Sequence, residues 1–293
     1  NVPVYEGEIT TPTVSGFLRT IVPSNIVSAL ANGETLPVIL FTVVFAVAIV
    51  SIGEKGKPVM DFMNSLSDAF FKMLSYFMEL SPIGVMSLMA YSIAQYGAGI
   101  FGALAEYIGT CWLSCIVVFF LVMVLPVCLI TKIPVKKLLK ACGKIALVTL
   151  STTSSAATLP TTINVSIHDL GAPEDISKFT LPLGCTINMC GGACSFCCLA
   201  VFVSDFYGIG LTLPTIIFLV FVATLINMAA PGIPGGGIVL GASFLSILGL
   251  PIDLMGPISG FYRLLDMAFT TINVEGDVAA NLIIAKSVEA EKK

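Results

Sequence analysis

The chain has 293 residues, of which 56% are apolar and only 11% charged. Its mean hydropathy is +0.99. An average soluble domain carries about 25% charged residues, so this composition excludes a soluble single-core protein and implies several membrane spans. With 14 Lys+Arg against 18 Asp+Glu there is no basic face to neutralise phosphates, which argues against nucleic-acid binding. The nine cysteines sit mostly inside apolar runs and read as reduced, buried residues rather than a disulfide framework. The chain opens on Asn1 with no signal-peptide pattern, and the simplest reading is that N-terminal helices are missing.

Charges mark the spans in chain order. Residues 36–52, between Glu34 and Glu54, predict one crossing; a second is expected at about Ala69–Ala94, since Glu79 is the only charge between Lys72 and Glu106. The 25 uncharged residues between Glu106 and Lys132 exceed the ~20 that a helical span needs. From Thr149 to Thr162 nine of fourteen residues are Ser or Thr, and Leu159-Pro160 closes the run, which predicts a helical hairpin with a polar tip. Phe179–Val203 predicts a fourth crossing. The 47 uncharged residues between Asp205 and Asp253 are too many for one helix and are broken at Pro231-Gly232-Ile233-Pro234-Gly235-Gly236-Gly237. Proline lacks an amide donor and glycine accepts unusual dihedrals. In hydrocarbon, such a break survives only where protein or water satisfies the freed backbone, so a second re-entrant hairpin is expected. A last helix follows at 256–285.

Lysines cluster at 55 and 57, at 132, 136, 137, 140 and 144, and at 286, 292 and 293. Placed in the cytoplasm, they leave Glu34, Glu106, Asp205 and Asp253 at external ends. The hairpins then enter from opposite faces, the arrangement of a mid-membrane site with two gates, as in a secondary transporter.

The last helix carries the clearest chemistry. Asp266, Thr270, Asn273 and Asp277 fall within about 60° of one another on a helical wheel, spread over about 16 Å of axis. Ionisable residues inside a membrane are costly, and amides and hydroxyls ligate hard cations. The structural alternative pairs these carboxylates with Arg263 or Lys286. Glu275 lies opposite the stripe and is expected to face other protein or inner headgroups. Asn188 followed by Gly191-Gly192 suggests local unwinding that frees carbonyls for a cation, or else a small-residue helix contact. The Thr152–Thr158 tip offers hydroxyls and half-helix amides suited to a carboxylate, or hydroxyls bonded to their own turn. Cys190, Cys194 and Cys197 share an iron–sulfur spacing, but i, i+4 and i+7 are also one face of a membrane helix, where cysteine is a small hydrophobe. His168, the single histidine, sits beside Asp169 and reads as a hydrogen-bonded pair, with proton coupling as the alternative.

These segments together resemble the dicarboxylate/amino acid:cation symporters. The resemblance runs from Leu36 to Lys286, the C-terminal two-thirds of the family pattern. It is carried by SSAATLP in the first tip, FTLPLGCTINM in the unwound helix, GIPGGG in the second tip, DMAFTTINVEGD in the last helix and, more weakly, PIGVMSLMAY. It implies an all-α integral membrane transporter with two re-entrant hairpins and a broken helix. By segment this means an N-terminal stretch at 1–35, scaffold-like helices at 36–106 and a transport domain at 107–293. Within that domain the resemblance implies hairpin 1 at 144–170, the broken helix at 179–203, hairpin 2 at 211–250 and the final helix at 256–285. Asp266 resembles the carboxylate that pairs with a substrate ammonium. Ser155 and Asn273 resemble the groups that hold the substrate's α-carboxylate, with Thr270 nearby. Thr153, Ile233 and Gly237 would close around the substrate, with Met189, Gly192 and Phe269 alongside. Gly184, Asn188, Asn273 and Asp277 resemble one sodium site; Thr186 with Asn227, Met228 and Ala230 resembles a second.

Two departures bear on specificity. Acidic-substrate members place Arg three residues after the ammonium-binding Asp, where this chain has Phe269, and a phenyl ring cannot neutralise a carboxylate. Where many members read NMDGT, this chain reads Asn188-Met189-Cys190-Gly191-Gly192, lacking a hard-cation ligand. The expectation is therefore sodium-coupled symport of a small neutral amino acid with one or two sodium ions, no organic cofactor and no enzymatic activity. The expected assembly is a homotrimer in a cell membrane. The alternative is sodium- or proton-coupled uptake of an acidic amino acid or C4-dicarboxylate, for which Arg263, one turn before Asp266, supplies a cation. More remote are a non-transporting or channel-like protein and a membrane enzyme that uses the cysteines.

Overall fold

The computed structural model describes residues 22–97, 99–228 and 236–291. Every regular element among them is helical, and no strand occurs among the described residues. The chain divides into two units, one ending at Gln95 and the other beginning at Tyr96. The division falls earlier than the expected boundary at 106.

In the first unit, α1 (Ile26–Asn32) is capped by Asn25, whose side chain accepts from the amides of Val27 and Ser28. Gly33 closes it in the left-handed conformation, at φ 70°. The next helix, α2 (Thr35–Ser51), matches the first predicted crossing. It is apolar all round and leaves Val43, Val47 and Val50 exposed, as befits a helix facing lipid or other protein.

The expected second crossing at Ala69–Ala94 is corrected. The chain forms α3 (Lys57–Glu79) and α4 (Ser81–Tyr96), separated at Leu80. Pro82 has no amide to continue α3, so the ladder restarts with the amides of Ile83 and Gly84 donating to the Leu80 carbonyl. The five charges of α3 (Lys57, Asp61, Asp68, Lys72 and Glu79) lie on one stripe about 60° wide, which makes it strongly amphipathic rather than the start of a span.

The second unit holds the long apolar helix Ile100–Thr131. It consists of α5 (Ile100–Val118), a π-helical turn (Phe119–Val124) and α6 (Leu125–Thr131). Pro126 removes one amide just beyond the wide turn, which accounts for the irregularity. The chain then folds back as α7 (Val135–Thr152) and α8 (Ser155–Asn164), followed by a π-helical turn at Val165–Asp169. The pairing expected between His168 and Asp169 gives way to a Lys144–Asp169 ion pair at 2.6 Å, which joins the two legs of this hairpin.

The predicted broken helix appears as α9 (Glu174–Ile187) and α10 (Cys190–Phe206), with Asn188 and Met189 outside helical geometry. Then come α11 (Leu213–Met228) and α12 (Gly236–Ile247), legs of the second predicted hairpin. The tip between them, with Ala230 and Ile233, lies outside the described residues. Last, α13 (Met255–Glu291) covers the predicted final helix and extends beyond both ends. It is the hub of this unit, packing against α5 through α10 and against α12. Leu181, Leu219, Ile226, Phe244, Leu245 and Leu254 are fully buried in the core.

Candidate functional site

The site begins where two helices stop. At the end of α7, Thr153 takes a left-handed conformation, with φ 48°, and its amide donates to Thr149 O at 2.8 Å. Ser154 then caps α8, its hydroxyl accepting from the Ala157 amide at 3.2 Å. Thr158 donates its hydroxyl back to Ser154 O at 2.9 Å. Much of this hydroxyl-rich tip therefore stiffens its own turn, while the first amides of α8 point out of the helix start, where a carboxylate is favoured.

The second stop is the break between α9 and α10, which α13 holds open. Asn188 donates through Nδ2 to Asn273 O at 3.1 Å and to Asp277 Oδ1 at 2.8 Å. In return, Asn273 Oδ1 accepts from the Gly191 amide at 2.7 Å, and its Nδ2 lies 3.3 Å from Met189 Sδ. The Cys190 thiol reaches Ile272 O at 3.5 Å. Asn273 thus replaces the helix bond lost by the Gly191 amide, and the Asn188 and Cys190 side chains tie the break to α13. Close approach explains two of the glycines. A Cβ on Gly184 would lie 2.5 Å from Asp277 Oδ1, and one on Gly191 would collide with the Phe269 carbonyl. The predicted group Gly184, Asn188, Asn273 and Asp277 is thus brought together.

A pocket of about 40 Å³ lies between the α7–α8 tip, α10, α11, α12 and α13. It is lined by Thr153, Ser155, Met189, Gly192, Gly237, Asp266, Phe269, Thr270 and Asn273, which is every predicted substrate residue except Ile233. Asp266 is 8% exposed and accepts from the Thr270 hydroxyl at 3.2 Å.

The structure adds Ser195, Phe196 and Tyr262 to this lining. Tyr262 lies four residues before Asp266, so the stripe's own periodicity extends to it. A Cβ on Gly237 would strike its hydroxyl. Ser195 and Phe196 follow the Gly191-Gly192 step into α10, and no local pattern singles them out.

Other predicted groups are placed differently. Asn227 lines this pocket, its Nδ2 donating to Ala223 O at 2.8 Å. Thr186 is exposed and returns its hydroxyl to Pro182 O at 3.1 Å, while Met228 is 54% exposed. No hydrogen bond joins Thr186 to Asn227 or Met228 among the described residues. The side chain of Arg263 is exposed and donates to Ser151 O at 3.1 Å, beside the first tip but outside the pocket lining. Lys286 pairs with Glu289 at 3.3 Å. The structural alternative, with these two cations neutralising the stripe, is therefore not what the fold builds. Glu275, expected at a partner or headgroup surface, is instead buried within the unit at 3% exposure, because α5 and α7 cover that face of α13. Among the described residues no group of three or more His, Cys, Asp or Glu could hold a metal ion, and Cys190, Cys194 and Cys197 form no such cluster.

On the exposed first turns of α9, ahead of the crossing expected at 179–203, Lys178 lies 2.6 Å from Glu174. Its hydrogen bond and charge hold the Glu174 carboxyl below the ordinary glutamate range.

The sequence model of the sodium:dicarboxylate symporter family matches residues 4–287. The chain is 32% identical over 282 residues to the proton/sodium-glutamate symport protein of Bacillus subtilis, covering 96% of this chain and 65% of that protein. It is 32% identical over 283 residues to a C4-dicarboxylate transport protein of Brucella anthropi, covering 96% and 63%. A proton/sodium-glutamate symport protein of Geobacillus stearothermophilus matches at 32% over 267 residues, covering 91% and 63%. The chain thus spans just under two thirds of the length of these curated relatives. They are named as transport proteins rather than enzymes, in line with the expectation of no catalysis, and the apolar helices agree with a multi-pass membrane setting. The chain belongs to the sodium:dicarboxylate symporter family.

Proposed function

We propose that this chain carries the substrate and cation sites of a secondary symporter for a small carboxylate-bearing solute, driven by sodium or protons. The observation that carries the reading is the convergence of Thr153, Ser155, Asp266, Thr270 and Asn273 on one pocket. Beside it stands the Asn188–Asp277 bond at the broken helix. Hydroxyls, an amide and the amides at the start of α8 suit a substrate carboxylate. Asp266 suits an ammonium, which favours an amino acid over a plain dicarboxylate. The substrates named for the relatives support an acidic one, glutamate or a C4-dicarboxylate. Arg263, bonded beside the first tip, is the nearest cation on α13 to serve its second carboxylate.

A second reading, a neutral amino acid, is favoured by Phe269, which is buried at the pocket where a cation would be needed, and by a lining without Lys or Arg. Oxygen ligands around Asp277 and Asn273 suit sodium.

A pocket of about 40 Å³ is far smaller than the roughly 150 Å³ cavity that accepts benzene. Substrate entry therefore requires the surrounding elements to separate, which suits hairpin gates on opposite membrane faces, a trimeric scaffold and a carrying unit that alternates between sides. Sodium bound next to the pocket raises substrate affinity only so far as it favours the substrate-competent arrangement.

Thermal unfolding of the detergent-solubilised protein tests this with glutamate, aspartate, succinate, serine and alanine, each in sodium, in choline and across pH. Cation-dependent stabilisation by glutamate or succinate upholds the main reading. Stabilisation by serine or alanine alone transfers it to the second. No response from a folded sample rejects both.

A further inference from the structure

On the side of α13 opposite Asp266, a cavity of about 270 Å³ lies between α5, α7 and α13. Its walls are mainly apolar, with Trp112, Phe119, Leu139, Ala146 and Leu150 among them, and Glu275 is its single acid. The Glu275 side chain is 3% exposed, and neither carboxylate oxygen meets an N–H or O–H donor; the Cys142 thiol is the polar group beside it.

The neighbouring donors are committed elsewhere. The Thr271 hydroxyl donates to Met267 O at 2.7 Å and meets the Thr149 hydroxyl at 2.7 Å. The Trp112 indole donates to Leu264 O at 3.1 Å. Cys142 offers only a thiol, a weak donor, and the lining holds no Lys, Arg or His. A buried carboxylic acid in such surroundings is compensated either by a proton of its own or by a cation that brings hydrogen-bond donors.

We propose that this cavity is a second binding site, for an apolar molecule carrying one ammonium group. Charge complementarity calls for the ammonium and the walls for the apolar body. An apolar cavity of about 150 Å³ accepts benzene, so this one has room for a ring and a short chain. The site goes beyond the symport reading and shares no residue with the substrate pocket. Because α7 continues into Thr153 at that pocket, an occupant here also braces the first tip.

The test is thermal unfolding of the full chain in detergent with phenethylammonium as probe and 2-phenylethanol as its uncharged counterpart. The amine is expected to stabilise the wild type and the alcohol is not. Glu275→Gln, which keeps the shape and removes the charge, and Ala146→Phe, which fills the cavity, should each weaken the amine's apparent affinity about tenfold or more. Asp266→Asn should leave it within about twofold, which separates this site from the substrate pocket. Absence of stabilisation in the wild type, its survival in both cavity variants or its loss in Asp266→Asn overturns the proposal. If Glu275→Gln does not fold, Ala146→Phe decides. A maleimide-resistant Ala146→Cys that cross-links to a second polypeptide in membranes also overturns it, in favour of a protein helix as the occupant.

Discussion

The two faces of α13 solve the problem of buried charge in opposite ways. On one face, Asp266 accepts from Thr270, Asp277 accepts from Asn188, and Asn273 is bonded to both sides of the broken helix. On the other, Glu275 is buried against apolar walls with no N–H or O–H donor for either oxygen and only the Cys142 thiol beside it. The difference teaches that burial by itself does not define a site in this unit. Where the neighbouring helix is broken, the Asn188 side chain turns to Asp277 and the freed Gly191 amide to Asn273, which builds a polar chamber. Where the neighbours α5 and α7 are unbroken alongside Glu275, their backbone groups are spent within each helix and nothing is left to meet it.

The largest expected effect comes from removing the polar face's central acid. Asp266→Ala should abolish amino-acid binding, by about 100-fold or more, equivalent to about 3 kcal/mol. Titration of ligand-dependent thermal stability measures it, and unchanged affinity would remove Asp266 from the substrate site. Next, Gly191→Val tests whether the break is sustained by close packing. The new Cβ meets the Phe269 carbonyl, a backbone group with no rotamer to yield, and should cost about 3 kcal/mol of stability in thermal unfolding. A neutral result would mean that the break is held by hydrogen bonds alone.

Asp277→Asn keeps an oxygen for Asn188 but removes the charge. It should weaken sodium about tenfold while sparing amino-acid affinity at saturating sodium, as read by sodium titrations with and without substrate. On the opposite face, Glu275→Gln is expected to raise the stability of the unliganded protein by about 1 kcal/mol, because an uncompensated charge disappears. A clear loss would show that the carboxylate has a partner in the assembled protein.

The smallest effect belongs to the solvated control. Lys178 holds the folded Glu174 carboxyl below its unfolded value, so whatever stability the pair adds is present above the ordinary carboxylate range and fades as pH falls through the lowered value. Glu174→Gln should therefore differ from wild type no more than marginally in thermal unfolding at about pH 7, and not at all at about pH 3.

Periodicity and breaker residues made much of the second unit legible. The i, i+4, i+7, i+11 spacing of Asp266, Thr270, Asn273 and Asp277 required only a straight helix, and α13 provides one. The Ser/Thr run predicted a tip, and the chain leaves helical geometry at Thr153. The same logic failed at Leu80. A window of low charge looked like one crossing, but Pro82 restarts the ladder there and the charges of α3 fall on a single stripe. Ser195 and Phe196 were invisible because their place in the pocket depends on the angle at which α10 leaves the break.

Composition and spacing alone determined that this is a helical membrane chain, that its polar residues gather on one face of the last helix, and that two neighbouring helices are interrupted. Those are local consequences of hydropathy, helical period and the chemistry of proline, glycine and hydroxyl side chains. Only the tertiary structure decided which interruption meets which residue. It set Asn188 on Asp277, kept Arg263 on Ser151 outside the pocket lining and buried Glu275 without an N–H or O–H donor. These outcomes depend on the packing of α5, α7, α9 and α10 around α13, and residues far apart in the chain cannot announce from their own sequence which of them will touch.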